Sequence, residues 1–174
     1  TGTLTVADQA DGQSFEIRDG IPRFIKNEPP LSGSIEDKEL IYYQENSAEY
    51  DQVTKWVFES FFLDEQEVRN SLIDLLELDP TNIVLETGCG TCRDSEFILD
   101  RLGNDGGLYL QDLSDNMLSV GHRRLQSKMD QPNSAMVEFF LGDAVQLPFP
   151  DNYFDAAYHF GGINLFSDIE SAIN

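Results

Sequence analysis

The stretch Ile83-Val-Leu-Glu-Thr-Gly-Cys-Gly-Thr-Cys92 decides the fold: an apolar run ends in an acid and opens into a glycine-rich turn. Ile83, Val84 and Leu85 predict a strand covered on both faces, as in a parallel sheet. Gly88 and Gly90 permit a sharp turn and let the backbone come close to a ligand with no Cβ in the way. Beyond the turn, Arg93-Asp-Ser-Glu-Phe-Ile-Leu-Asp-Arg-Leu102 carries Phe97, Ile98 and Leu102 at helical spacing. Strand, glycine turn and helix in that order predict a nucleotide-binding element at the carboxyl end of a sheet strand.

The spacing narrows the ligand. A dinucleotide fingerprint asks for a small residue where Arg93 stands, and a phosphate-gripping loop asks for Gly-Lys-Ser/Thr, which is absent. Gly107-Leu-Tyr-Leu-Gln-Asp-Leu-Ser114 predicts a second strand ending in Asp112, roughly 26 residues after Glu86. An acid about 20 residues beyond the turn meets the ribose hydroxyls in such folds. A carboxylate there is acceptor-only and suits both hydroxyl protons. Ser114 is placed to cap a helix carrying Asp115, Met117, Leu118, Val120 and Leu125. Val137 to Ala144 predicts a third strand and turn, and Phe154-Asp-Ala-Ala-Tyr-His-Phe160 a fourth strand.

These landmarks carry a family resemblance. Glu86-Thr-Gly-Cys-Gly-Thr-Cys92 resembles the E/D-x-G-x-G-x-G motif I of class I S-adenosylmethionine-dependent methyltransferases, with Cys92 in place of the last glycine. Asp112-Leu-Ser-Asp-Asn-Met-Leu118 is similar to that family's D-L-S-x-x-M-L segment. Gly142-Asp-Ala followed by Leu147-Pro-Phe is similar to G-D-A-x-x-L-P-F, and Phe154-Asp155 to its fourth strand. The order agrees from about Tyr42 to Asn174, and the ubiquinone/menaquinone-type branch is the most similar. The resemblance implies a Rossmann-like α/β fold with a mostly parallel sheet and S-adenosyl-L-methionine as cofactor, leaving S-adenosyl-L-homocysteine as product. It places Glu86, Gly88, Cys89, Gly90, Asp112, Leu113, Met117, Asp143, Ala144 and His159 in the cofactor site, Asp143 reading the adenine amino group. It also implies more strands than four, so a longer protein is expected to complete the acceptor pocket.

Upstream, two helices are expected. Ser47 is placed to cap Ala48–Phe62, whose Tyr50, Val53, Trp56, Val57, Phe58 and Phe61 form a wide apolar face. A second helix is expected over Asp64–Leu78, with Val68, Leu72, Leu75 and Leu76 on one side and Asp79-Pro80 closing it. Tyr42-Tyr43 and Tyr50-Asp51 resemble the family's tyrosine lid over the methionine end of the cofactor, where aromatic faces suit a sulfonium cation; packing in the core is the other reading of Tyr43 and Tyr50. Residues 1–26 read as a small β-rich unit with Asp-Gly turns. Phe15–Phe24 there resembles the D-G-I-P end of a Trm112-like domain, without that domain's zinc cysteines. A linker over 27–37 and a cofactor-binding domain over 38–174 complete the organisation.

Methyl transfer is an in-line displacement, so alignment is the enzyme's main task. A base is needed when the acceptor must lose a proton, and His159 is the one candidate; a structural role is the other reading of this histidine. The Asn/Asp-Pro-Pro-Tyr/Phe signature of base amino-methyltransferases is absent, since this position reads His159-Phe-Gly-Gly-Ile-Asn164. A small-molecule acceptor is therefore expected. The net charge of −21 argues against direct nucleic-acid binding. It also suits a basic protein partner. No apolar run is long enough to span a bilayer and no signal peptide is evident, so a cytoplasmic protein is expected. Two alternatives stand beside this reading. One is a non-catalytic member that binds cofactor or a partner. The other is a redox protein using the Cys89-Gly-Thr-Cys92 pair at the start of a helix, where thiol pKa values fall. His122 and His159 lack ligand spacing, and no metal is expected.

Overall fold

The computed structural model describes residues 2–5, 14–25, 41–43, 45–166 and 168–173. Strands β1 (Gly2–Thr5), β2 (Ser14–Arg18) and β3 (Ile21–Arg23) come first, followed by helices α1 (Ser47–Ser60) and α2 (Glu65–Asp74). Strand and helix then alternate through β4 (Ile83–Thr87), α3 (Ser95–Leu99), β5 (Gly107–Asp112), α4 (Asp115–Met129) and β6 (Met136–Leu141), after which β7 (Ala156–Tyr158), a 3-10 turn at Ile163–Leu165 and α5 (Ile169–Ile173) follow. All seven strands lie in one sheet, in the order β1-β2-β3-β6-β5-β4-β7. β6, β5, β4 and β7 are mutually parallel, with Glu86 opposite Leu110 on one side and Tyr158 on the other. The chain steps outward from β4 to β5 and β6, then returns to the far side of β4. That reversal opens a crevice beyond the carboxyl ends of β4 and β7, where ligands bind in open α/β sheets.

Continuous apolar runs become strands here because both sheet faces are covered. Val84, Leu108 and Leu110 are fully buried and share one core with Leu118 and Leu125 of α4. On the segment after β6, Phe149 packs edge-on against Tyr109 and Phe154, with Tyr109 and Tyr153 sharing a 2.8 Å hydroxyl contact. The Leu-Pro-Phe segment is thus anchored by its phenylalanine.

The N-terminal strands form an antiparallel meander that continues the main sheet, β3 pairing parallel with β6 through Arg23 and Leu141. Arg23 is buried and ion-paired with Asp115 in the first turn of α4. The linker assigned to 27–37 lies outside the described residues.

Several helix expectations need correction. Asn46, not Ser47, stands at the N-cap of α1 and makes no side-chain cap bond; its amide donates instead to the Tyr42 carbonyl at 2.9 Å. The apolar face of α1 is largely uncovered, Trp56 being 66% exposed, with Val53, Val57 and Phe61 also exposed. α2 stops at Asp74, four residues early, because Glu77 takes a left-handed backbone (φ 49°). Asp64 caps it by accepting from the Gln66 and Glu67 amides. Its buried residues are Arg69 and Ile73, while Leu75 is 77% exposed. The helix predicted from Arg93 shortens to α3, since the first residues are still in the turn.

Candidate functional site

The glycine turn sits at the crevice and is left-handed at three positions: Gly88 (φ 61°), Gly90 (φ 54°) and Cys92 (φ 60°). Glycine takes such angles without penalty, whereas a side chain costs roughly 1–2 kcal/mol. A Cβ on Gly88 would stand 3.1 Å from His159 Cε1, so histidine and turn are in close contact. At Gly90 a Cβ would meet nothing within 4 Å, so the turn is open on that side. Cys92 is fully buried, and its Sγ fills a notch in α4 left by Gly121, where a Cβ would lie only 2.3 Å away. The missing glycine of the turn has, in effect, moved to the facing helix.

The two strand-end acids serve this turn differently. Asp112 is half-buried, its Oδ2 accepting from Gly90 N at 2.8 Å and its Oδ1 from Ser114 N at 2.8 Å. Burial raises its pKa, opposed by those same N–H donors. Glu86 is 3% exposed and accepts from Ser95 Oγ at 2.6 Å. Burial, reinforced by the charge of Asp94, pushes its carboxyl up to about 8, so it is protonated at neutral pH. Beside it, Asp94 is ion-paired with Arg69, whose guanidinium lies 5.5 Å from the Phe58 ring centroid and 5.3 Å from that of Phe160. The Tyr158 hydroxyl is buried facing Asp94, and burial together with that carboxylate's charge raises its pKa.

Gln111 ties two loops together. Its Oε1 accepts from Gly88 N at 3.0 Å, and its Nε2 donates to the Gly142 carbonyl. The side chain is buried and spans from the glycine turn to the loop after β6. In that loop, Asp143 Oδ1 accepts from Val145 N at 2.9 Å and Ala144 is buried. Next to Asp112, Leu113 is partly exposed, and Met117 is buried in the first turn of α4 below the Ser114 cap.

His159 leaves β7 and donates from Nδ1 to the Thr87 carbonyl at 2.8 Å, because a carbonyl can only accept. That bond fixes the tautomer and puts the ring's lone pair on Nε2, which is buried without a partner among the described residues. The ring packs edge-on to Phe166 at 4.7 Å. Tyr50 lies on α1, its ring edge-on to Tyr43 at 5.8 Å. Glu86, Gly88, Cys89, Gly90, Asp112 and His159 therefore surround one turn, while Gln111 ties that turn to the Gly142 carbonyl next to Asp143, whose own carboxylate stays within its loop.

Sequence reasoning missed Gln111, Arg69 and Arg124, and placed Asp51 in the lid motif without its partners. Arg69 left a signal, since Arg69, Ile73 and Leu76 fall at i, i+4 and i+7 on one helix face. The cysteine-redox alternative is corrected: Cys89 and Cys92 are both buried, and burial raises the Cys89 thiol well above its ordinary value. A redox nucleophile needs the opposite.

Comparison with known proteins identifies the family and the fold. Residues 84–174 match the family described as a methyltransferase domain. The chain is 35% identical over 101 residues to the ubiquinone/menaquinone biosynthesis C-methyltransferase UbiE of Ectopseudomonas mendocina, covering 58% of this chain and 38% of that protein. It thus spans well under half the length of that relative. Among solved structures, a candidate S-adenosyl-L-methionine-dependent methyltransferase from Methanococcus maripaludis superposes with a TM-score of 0.58 at 16% identity, over 75% of this chain and 55% of the other. A chain from the complex of the Haloferax volcanii Trm112 methyltransferase activator with a candidate methyltransferase gives 0.55 at 15%, over 75% and 52%. At these identities the structures show a shared fold.

Proposed function

The chain belongs to the methyltransferase-domain family, and from that premise we propose that the complete protein transfers a methyl group from S-adenosyl-L-methionine to a small-molecule acceptor. The observation that carries the reading is the Asp112 carboxylate, held by the Gly90 and Ser114 amides and half-open at the crevice beside a left-handed glycine turn. The residues fit the cofactor: an acceptor-only group suits a ribose diol, and the open side of Gly90 admits a ligand against the backbone. When bound, S-adenosyl-L-methionine supplies an electrophilic methyl on a sulfonium centre.

The chain's own residues then do three things. Asp112, the open backbone at Gly90 and the Gly142–Ala144 loop bind and orient the cofactor. Tyr43 and Tyr50 offer aromatic faces to its cationic end. His159, with Nδ1 committed to the Thr87 carbonyl, takes at Nε2 the proton of a hydroxyl or acidic carbon on the acceptor. That the similar relative is a quinone-biosynthesis C-methyltransferase supports an acceptor of this kind. We read residues 1–26 as a Trm112-like unit docked in cis on residues 38–174, a reading supported by the β3–β6 pairing.

The test is transfer from methyl-labelled S-adenosyl-L-methionine to a panel of small hydroxyaromatic acceptors by the full-length protein, beside titration with S-adenosyl-L-homocysteine. Binding with turnover is expected, together with a much larger loss of turnover than of affinity in His159→Ala. Binding without turnover on any acceptor would favour the non-catalytic alternative, and no binding at millimolar ligand would overturn the proposal.

A further inference from the structure

We infer that Asp51 is a positioning residue that fastens the tyrosine-bearing helix α1 to the cofactor turn, so that the two hold their binding geometry as one unit. The inference rests on the cofactor site proposed above. Three partners, two from the turn segment and one from α4, meet this carboxylate. Oδ1 accepts from Thr91 Oγ1 at 2.6 Å and faces Arg93 Nη1 at 3.3 Å, while Oδ2 accepts from Arg124 Nη2.

Thr91 is the point on which the arrangement bears. It is 1% exposed and stands between two left-handed residues, Gly90 and Cys92. Its hydroxyl is held by Asp51 and its carbonyl by Arg124 Nε at 2.8 Å. Arg124 also reaches Glu96 at 3.3 Å, and Arg93 pairs with Glu65 of α2, which in turn accepts from Arg69 at 2.7 Å. One carboxylate on α1 is thereby wired to the turn, to α4 and, through Arg93, to α2. The ion pairs of Asp51 are at least two-thirds buried, so salt screens them less than exposed pairs.

Tyr50 precedes Asp51 in the helix and carries the ring proposed to cover the cofactor's cationic end. Fixing Asp51 to Thr91 therefore fixes the stance of Tyr50 relative to the turn. The cations lining the adjoining cavity, Lys55, Arg69, Arg93 and Arg124, are each matched by a carboxylate, which makes the cluster a clamp and not an anion site.

The experiment uses the full-length protein with Asp51→Ala and Asp51→Asn. Three readouts are taken: S-adenosyl-L-homocysteine affinity by calorimetry, thermal midpoint, and amide hydrogen exchange without ligand. Asp51→Ala is expected to weaken affinity about tenfold and to accelerate exchange in residues 47–60 and 88–93 but not in β5 or β6. Asp51→Asn keeps an acceptor for Thr91 and should recover part of both effects. A lowered midpoint with unchanged affinity and unchanged turn exchange would overturn the inference, leaving Asp51 merely structural. Should the wild-type protein fail to bind the ligand, the proposed function falls. The exchange readout still decides the coupling: faster turn exchange in Asp51→Ala supports it, and no change sinks it.

Discussion

The ends of β4 and β5 look alike in sequence, each an apolar run closing on an acid, yet they do opposite work. At β4, Glu86 is sunk beneath the turn, bonded to Ser95 and crowded by Asp94, and its carboxyl is raised to about 8. At β5, Asp112 stands at the rim with two backbone amides on its oxygens and solvent still in reach. A low-dielectric surround without cations enough to compensate turns an acid into a neutral internal strut. A rim position with oriented N–H donors keeps one as a ligand for hydroxyls. The difference teaches that the acid of a glycine motif serves its ligand either directly or through the turn it props, and burial decides which.

The largest expected effect tests the strut. Glu86 titrates near its ordinary 4.5 in the unfolded chain and near 8 in the fold. Between those values the folded state holds a proton that the unfolded state has lost. Stability should therefore fall as pH rises across that window, by up to about 1.4 kcal/mol per pH unit from this group. Denaturant unfolding from pH 5 to 8 measures the slope. Glu86→Gln, which cannot ionise, should flatten it while leaving S-adenosyl-L-homocysteine affinity within about threefold, there being no net charge to lose at pH 7. A slope that survives in Glu86→Gln would assign it to another group, and Asp94 and Asp112 are the next candidates, since burial raises both.

Asp112 should show its main effect at the ligand. Asp112→Ala removes charge-assisted bonds worth about 1.5–3 kcal/mol, which weakens cofactor affinity by one to two orders of magnitude. Burial raises the Asp112 carboxyl as well, so Asp112→Ala should also flatten part of the pH slope of stability. Asp112→Asn should fall between the two. Unchanged affinity in Asp112→Ala would break the comparison by removing the rim acid from the site.

Gln111 joins the two regions, and its loss should be felt at both. Gln111→Leu leaves the Gly88 amide and the Gly142 carbonyl without their partner. Because Gly88 is exposed and water reaches it, the expected cost is about 1–2 kcal/mol of stability. Proteolysis or hydrogen exchange should locate the loosening in residues 88–93 and 142–146 together. Loosening of one loop alone would show that they are positioned independently.

How much of this was legible depended on where each signal lay. β4, β5 and β6 and their terminal residues were readable because parallel strands are continuously apolar and stop at glycines and acids. The Ser114 cap was readable because its hydroxyl acts locally, on Met117 N. Asp51, Arg93 and Arg124 were not, since a charged residue on a helix reads as solvated surface until the fold brings carboxylate and guanidinium together across 73 positions. Gln111 was hidden for the same reason, as a polar residue whose partners lie 23 positions upstream and 31 downstream. Gly121, inside a helical pattern, was the kind of signal that marks a close approach, and the structure identifies what approaches as Cys92.

That pairing carries the smallest prediction. Cys92 adopts φ 60° at a cost of roughly 1–2 kcal/mol relative to glycine, partly offset by burying its sulfur in the Gly121 notch. Cys92→Gly removes both terms, so stability should change by less than about 1 kcal/mol in either direction. Cofactor affinity should stay within about threefold, because Thr91 and Asp112, not Cys92, hold the turn toward the crevice. Gly121→Ala should destabilise the parent chain, where the new Cβ meets the sulfur, and should be far milder in a Cys92→Gly background. The double-mutant cycle between these two sites is expected to show about 1–3 kcal/mol of coupling. Additive effects would mean that helix and turn do not share the notch, and the close approach of α4 to the cofactor turn would need another cause.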